Sequence, residues 1–440
     1  MTSGFVSIPE RDAYRLRNAK IPRCLLDGAA AGLAPGRDDL VDADIAVVGG
    51  RIAAIEPVKP GAGEGIDLDG GQVWPCFVDL HTHLDKAHMW PRASNPDGTH
   101  TGALTSVAKD RSANWSADDV GRRIDFALRC AYAHGTAAIR THVDSRPPQN
   151  RISWPVISEL RDRWAGRMEI QAVSLMHFSD FADPATAQEV ADTVAAHGGL
   201  LGAVAGAEEG LDEVFDIMFR AAAERGLDLD FHVDETNDPE AHALDRVAEA
   251  KMRNRFEGRV TVGHCCSLAL RADGEVDRAL DLVVEAGLHV VSLPMCNMYL
   301  QDRDAGRTPR WRGVTLVHEM RARGIPVSVA SDNTRDPFYA YGDLDGLEVF
   351  TQAVRIAQLE YPLDLWPAAV TRTPADTMGL DRCGRIGVGL SADLVLFHAR
   401  GYSELLVRPQ ADRVVLRAGK PIDTQLPDFR ELDDLLAASA

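Results

Sequence analysis

The sequence predicts an α/β fold, a (β/α)8 TIM barrel joined to a small β-sandwich domain that the two chain ends build together. Three observations predict it: eight short apolar strands alternate with longer amphipathic segments, histidines and carboxylates gather where those strands end, and hairpin-like sequence is confined to the ends of the chain. At 440 residues the chain is long for one core, and a barrel with additions accommodates that length.

Residues 1–74 are expected to form the first part of the sandwich. The stretch 44–55 alternates apolar and polar residues around Gly49-Gly50, a hairpin signal. Residues 75–375 carry the barrel, with strands expected at 78–80, 137–143, 170–175, 202–205, 228–233, 260–263, 289–293 and 326–330. Helices are expected between them at 117–134, 184–197, 211–225, 239–255, 276–286 and 316–323. Residues 376–440 return to the sandwich: 384–397 is hairpin-like and completes the first sheet, and the tail 427–440 forms a terminal helix. No repeat, low-complexity tract or long linker interrupts this order.

Composition narrows the function classes. Hydrophobic residues at 45% and charged residues at 26% describe an ordinary globular protein. A formal net charge of -19 argues against nucleic acid or an anionic membrane as partner. The seven cysteines form no CxxC pair and are odd in number, which suits a reducing compartment without disulfides. The first residues lack the basic-then-apolar layout of a secretory signal, and no apolar run approaches the roughly 20 residues that span a bilayer. A cytoplasmic protein is expected.

Chemistry concentrates in four polar islands at strand ends. The first is Val78-Asp79-Leu80-His81-Thr82-His83-Leu84-Asp85-Lys86, where alternate side chains of an extended strand present two imidazoles to one face. A His-x-His pair alone is weak evidence for a metal. It gains force from Leu229-Asp230-Phe231-His232-Val233-Asp234-Glu235, Val260-Thr261-Val262-Gly263-His264 and Val327-Ser328-Val329-Ala330-Ser331-Asp332-Asn333, which together supply a metal site and its acid/base partners.

As a set, HTHLDK after the first strand, HVDE at the fifth, GH at the sixth and SDNTRDPF at the eighth resemble the amidohydrolase superfamily, and most of all its cytosine deaminase branch. The resemblance covers nearly the whole chain, including the closing GRIGVGLSADLVLF. It implies that His81, His83, His232 and Asp332 hold one divalent metal ion per subunit, Zn(II) or Fe(II). A second metal and a bridging lysine are absent from this branch, and the fourth-strand segment offers no lysine. Lys86 is assigned to the rim. The implied reaction is attack of a metal-bound hydroxide on an amidine carbon of a small heterocycle, with release of ammonia.

By the same resemblance Glu235 shuttles protons, His264 orients the nucleophile, and Asp332 accepts a proton from the activated water as well as ligating. The alternative for Glu235 is a surface residue opening the next helix near Asn237, Asp238 and Pro239. His142 matches a strand end expected to line the pocket, with a structural network beside Arg140 and Asp144 as the alternative. The loop carrying His88 and His100 is either a lid with Trp90 stacking on the substrate or a long surface loop. Cys296 is expected to pack rather than attack, since nothing nearby activates it.

Three departures from cytosine deaminase fall on positions that read the pyrimidine. His177 replaces a glutamine, Asn333 replaces a second acidic residue beside the metal aspartate, and Phe338 stands where a tryptophan is usual. With His142, these form the expected substrate-binding set. Cytosine is therefore joined by pterin, creatinine and N-alkyl aminotriazine rings as candidate substrates, with a ring-opening cyclic amide hydrolase as the rival enzyme and a metal-free binding protein as the rival class. Homo-oligomers are common in the family, and no interface is legible in the sequence.

Overall fold

The computed structural model describes residues 4–58 and 63–436. Eight parallel strands lie at its centre. Phe77–Thr82, Thr136–Asp144 and Glu169–Leu175 form a three-stranded sheet. Val204–Ala205, Leu229–Val233, Val260–His264, His289–Ser292 and Val327–Val329 form a five-stranded one. All eight fall where the alternation places them. Isolated parallel bridges connect the two sheets at both edges, through Val173–Leu200 and His177–Val204 on one side and Thr82–Asp332 on the other. At the second seam the Asp332 N–H donates to the His81 carbonyl at 2.9 Å.

Covered on both faces, these strands are near-continuous apolar runs, and every residue of Thr136–Asp144 is buried. The surrounding helices carry their own start and stop signals. The Ser116 side chain caps Ala117–Ala133 by accepting from the Asp119 N–H, and Asp183 with Pro184 opens Pro184–Ala196. Leu211–Arg225 stops at Gly226, which takes the left-handed φ of 65°.

Three helical expectations change. The segment expected at 239–255 starts later, at Ala243, because the Asp234 carboxylate receives the Ala243 and Leu244 N–H groups at 2.9 and 3.0 Å. His100, expected in a loop, instead starts a helix, His100–Asn114, capped by Thr99. Its apolar residues make no continuous stripe, so periodicity did not announce it. The tail is a 3-10 turn, Phe429–Leu432, followed by the short helix Asp433–Leu436, and 437–440 lie outside the described residues.

The two chain ends meet in one eight-stranded sheet whose seam is Gln72–Pro75 antiparallel to Leu394–Phe397. Gly49 and Gly50, at φ 56° and 78°, make its hairpin turn. The last turns of the chain strap across the helix Ala117–Ala133. Arg122 grips both carboxylate oxygens of Asp434 at 2.7 Å, and Arg129 meets Glu431 at 2.7 Å. Phe429 stacks on Phe126 and receives the Arg335 guanidinium 3.8 Å from its ring centre.

Candidate active site

The ends of the first, fifth and eighth parallel strands bring four side chains to one point. His232 Nε2 lies 3.1 Å from His81 Nε2 and 3.2 Å from His83 Nε2, while Asp332 Oδ1 lies 3.2 Å from His83 Nε2 and 3.7 Å from His81 Nε2. Donors about 2.0–2.1 Å from one tetrahedral cation stand roughly 3.3 Å apart, so this set fits a divalent metal. The burial pattern agrees. All four are buried, neither Asp332 oxygen has a hydrogen-bond partner among the described residues, and burial with neighbouring imidazoles holds the three histidines neutral, well below their ordinary pKa. Neutral imidazoles and an unengaged carboxylate are what a cation requires.

Local backbone aims these groups. Asp332 and His264 adopt left-handed φ values of 63° and 69°, which turn the chain sharply as each strand ends. Gly263 leaves room for the metal histidines, because a Cβ there would sit 3.0 Å from His81 Cε1 and 3.2 Å from Nδ1.

Beside this cluster Glu235 occupies a buried polar network. Asn297 donates through Nδ2 to Glu235 Oε1 at 3.0 Å and to His264 Nδ1 at 2.9 Å. The amide cannot be reversed, since its oxygen would then face the carboxylate. His264 Nδ1 is thus an acceptor, its proton sits on Nε2, and Nε2 has no partner among the described residues. A free N–H donor is left beside the metal ligands. Burial raises the Glu235 pKa, but the neighbouring imidazoles of His264 and His100 and the bond from Asn297 outweigh it and hold the carboxyl below its usual range.

A cavity of about 530 Å³ is lined by His83, His232, Glu235, His264 and Asp332, by three of the four positions expected to bind substrate, His177, Asn333 and Phe338, and by His100. His177 stands at the rim with both ring nitrogens engaged, Nδ1 with Ser179 Oγ at 2.7 Å and Nε2 with Glu208 at 3.2 Å. Asn333 donates through Nδ2 to Asp336 at 2.7 Å, and the same carboxylate accepts the Phe338 N–H. His142 lies elsewhere. It is fully buried against His81 and His232, with ring centres 4.1 and 4.5 Å away and neither nitrogen hydrogen-bonded among the described residues.

Residues 130–422 match a family model described as Amidohydrolase family. The chain belongs to the amidohydrolase family. It is 52% identical over 440 residues, the whole of both chains, to a pterin deaminase of Rhizobium rhizogenes. Among solved structures it resembles N-isopropylammelide isopropylaminohydrolase of Burkholderia multivorans, with TM-score 0.74, 27% identity and coverage of 95% of this chain and 100% of the other. It also shares the fold of a 5-methylcytosine deaminase of Klebsiella pneumoniae liganded with 5-fluorocytosine, with TM-score 0.79, 22% identity and coverage of 93% and 97%. The protein is a hydrolase acting on carbon–nitrogen bonds.

The amidohydrolase site also contains residues that strand-end motifs did not reveal. Asn297 belongs to Pro294–Leu300, a short helix whose approach to Glu235 is purely tertiary. Below the histidines, Arg140 donates to Asp230 at 2.7 Å and to Thr261 at 3.2 Å, a buried pair inside the sheet. Lys86, assigned to the rim, lines the cavity and bonds Asp144 at 2.6 Å, whose other oxygen receives Arg111 at 2.5 Å. Cys296 is buried, its thiol held far above the ordinary range by desolvation, so it is no nucleophile. Trp90 is not among the residues that line the cavity.

Proposed function

We propose that the protein is a metal-dependent hydrolytic deaminase that removes the exocyclic amino group of a pterin-like ring as ammonia. The observation that carries this is the convergence of His81, His83, His232 and Asp332, the last three lining one cavity with Glu235, in a chain 52% identical end to end with a pterin deaminase. The eight parallel strands are taken as a closed (β/α)8 barrel spanning 75–375, a reading supported by bridges at both sheet edges. The chain ends, 1–74 and 376–440, are taken as a β-sandwich domain, supported by an apolar core of Leu16, Ile45, Leu394 and Leu416 drawn from both.

His81, His83, His232 and Asp332 would hold one zinc or iron ion. When bound, such an ion acts as a Lewis acid that makes water nucleophilic at neutral pH. The chain's own residues do the rest. Deamination moves the two protons of one water to the ring nitrogen and to the departing amine while its oxygen becomes the carbonyl. Glu235, oriented by Asn297, can take and return these protons in turn. His264 Nε2–H is free to donate to the attacking oxygen, and Asp332 stands close enough to accept its proton. A cytoplasmic setting accords with seven free cysteines.

An ammonia-release screen of the metal-loaded protein against pterin, cytosine, isocytosine, creatinine and aminotriazines tests the proposal, with pterin expected to turn over best. Glu235→Gln should retain metal and lose about 10²–10⁴ in rate. Full activity in that variant would remove Glu235 from the proton shuttle, and silence on every ring with metal bound would move the assignment to a ring-opening hydrolase.

A further inference from the structure

We propose that His100 relays protons between solvent and Glu235, a role that rests on the deaminase reading above and adds a residue the motifs do not include. Water's two protons balance the hydrolysis itself, but the ammonia it releases becomes ammonium at neutral pH and takes up one proton more. A site that discharges ammonium needs a way in for that proton.

The geometry supplies one. Glu235 lies between two histidines, with His264 Nδ1 3.4 Å from Oε1 and His100 Nε2 3.6 Å from Oε2. Exposure is graded along this line: the side chain of His100 is 37% exposed, Glu235 10% and His264 2%. His264 is closed off, its Nδ1 occupied by Asn297, so the open side of the carboxylate is the one that His100 faces. Phe338 packs edge-on against the His100 ring, 5.6 Å between centres, and keeps one flank apolar.

The placement of His100 is built. It starts the helix His100–Asn114, whose cap Thr99 accepts from the Gly102 N–H at 3.0 Å. Asn95 donates both to the Thr99 carbonyl at 2.9 Å and to the Pro337 carbonyl at 3.0 Å, which ties this helix start to the loop after Asp332. Of the charged groups around it among the described residues, Asp97 is bonded to Thr99, Arg303 packs beside Gly98, and Glu235 faces the ring. Burial lowers the His100 pKa, and the nearby Glu235 carboxylate raises it beyond that loss.

The relay step moves one proton and no electrons. As the 3.6 Å gap tightens to hydrogen-bond length in the loaded site, the Nε2–H bond of the imidazolium breaks and an O–H bond forms on Glu235 Oε2; the carboxylic acid then protonates the departing ammonia to ammonium. Water restores the imidazolium through its exposed edge.

The test compares metal-loaded wild type with His100→Gln on pterin and isocytosine. A kcat about tenfold or more lower, with KM and metal content near wild type and turnover restored by added imidazole, is expected. An unchanged kcat, or a loss that imidazole does not restore, overturns the relay. Histidine-ring NMR gives a readout independent of turnover. The resonance missing from His100→Gln should titrate at lower pH in Glu235→Gln than in wild type, and an unmoved titration overturns the pairing. A shifted titration in a wild type that releases no ammonia would overturn the deaminase assignment while upholding the His100–Glu235 pair.

Discussion

A single methyl group at residue 263 is the smallest change that reaches the metal ligands. In Gly263→Ala the new Cβ would stand 3.0 Å from His81 Cε1 and 3.2 Å from Nδ1. Carbon contacts are comfortable at about 3.5–4.0 Å, so the ring must retreat by roughly 0.5 Å. Metal–ligand distances tolerate only about 0.2 Å. Disturbing the groups that support a ligand typically lowers metal affinity about 10–100-fold, or roughly 1.4–2.8 kcal/mol. The strand backbone at this position has no left-handed φ to forbid alanine, so the effect isolates the contact with His81. Chelator competition on wild type and variant measures it, with thermal unfolding of the metal-free forms as the control. Affinity within twofold of wild type would refute the claim that Gly263 sets the position of His81.

The other expectations are briefer. His83→Ala and Asp332→Ala should lose metal and turnover together, read by elemental analysis beside the ammonia assay; either variant retaining a full metal equivalent would remove that residue from the ligand set. Asn297→Ala frees the His264 tautomer and leaves Glu235 short of a donor, a loss of about 1–3 kcal/mol that should lower kcat by roughly 10–100-fold with metal retained. A wild-type kcat there would show that His264 keeps its tautomer without help. His289, pushed down to about 4 by burial and by nearby Lys251, Arg140 and Arg259, is held neutral in the fold, whereas an unfolded histidine titrates near about 6.5. Its contribution to stability is therefore complete above that unfolded value and is lost as pH falls toward the folded one. His289→Gln, which can keep a bond to Thr377, should flatten the melting temperature between pH 4 and pH 7; an identical slope would assign the acid sensitivity to other groups.

The motif residues were legible because strand geometry is local. His81 and His83 share a strand end by spacing alone, and His232, Glu235, His264 and Asp332 each follow an apolar run that reads as a buried strand. The segment 293–303 resembles the family's substrate-side segment after the seventh strand, but the role of Asn297 within it was not legible, because it arises from a helix packing beside another strand's end. The His100 helix was hidden for a different reason, since Thr99, Asp97 and Asn95 specify its start through side-chain bonds while its faces lack an apolar stripe. His142 illustrates the limit of strand arithmetic. Period two tells which face a residue takes, and the depth at which it lies beneath His81 depends on the stagger between strands.

The strap at the end of the chain gives distant residues a say in the loop behind the metal aspartate. Phe429 clasps Arg335, three residues beyond Asp332, and the Arg335 carbonyl in turn accepts the Trp90 N–H. An affinity tag or fusion partner therefore belongs at the start of this polypeptide, because anything that pulls on residues 429–436 pulls on Asp332 as well.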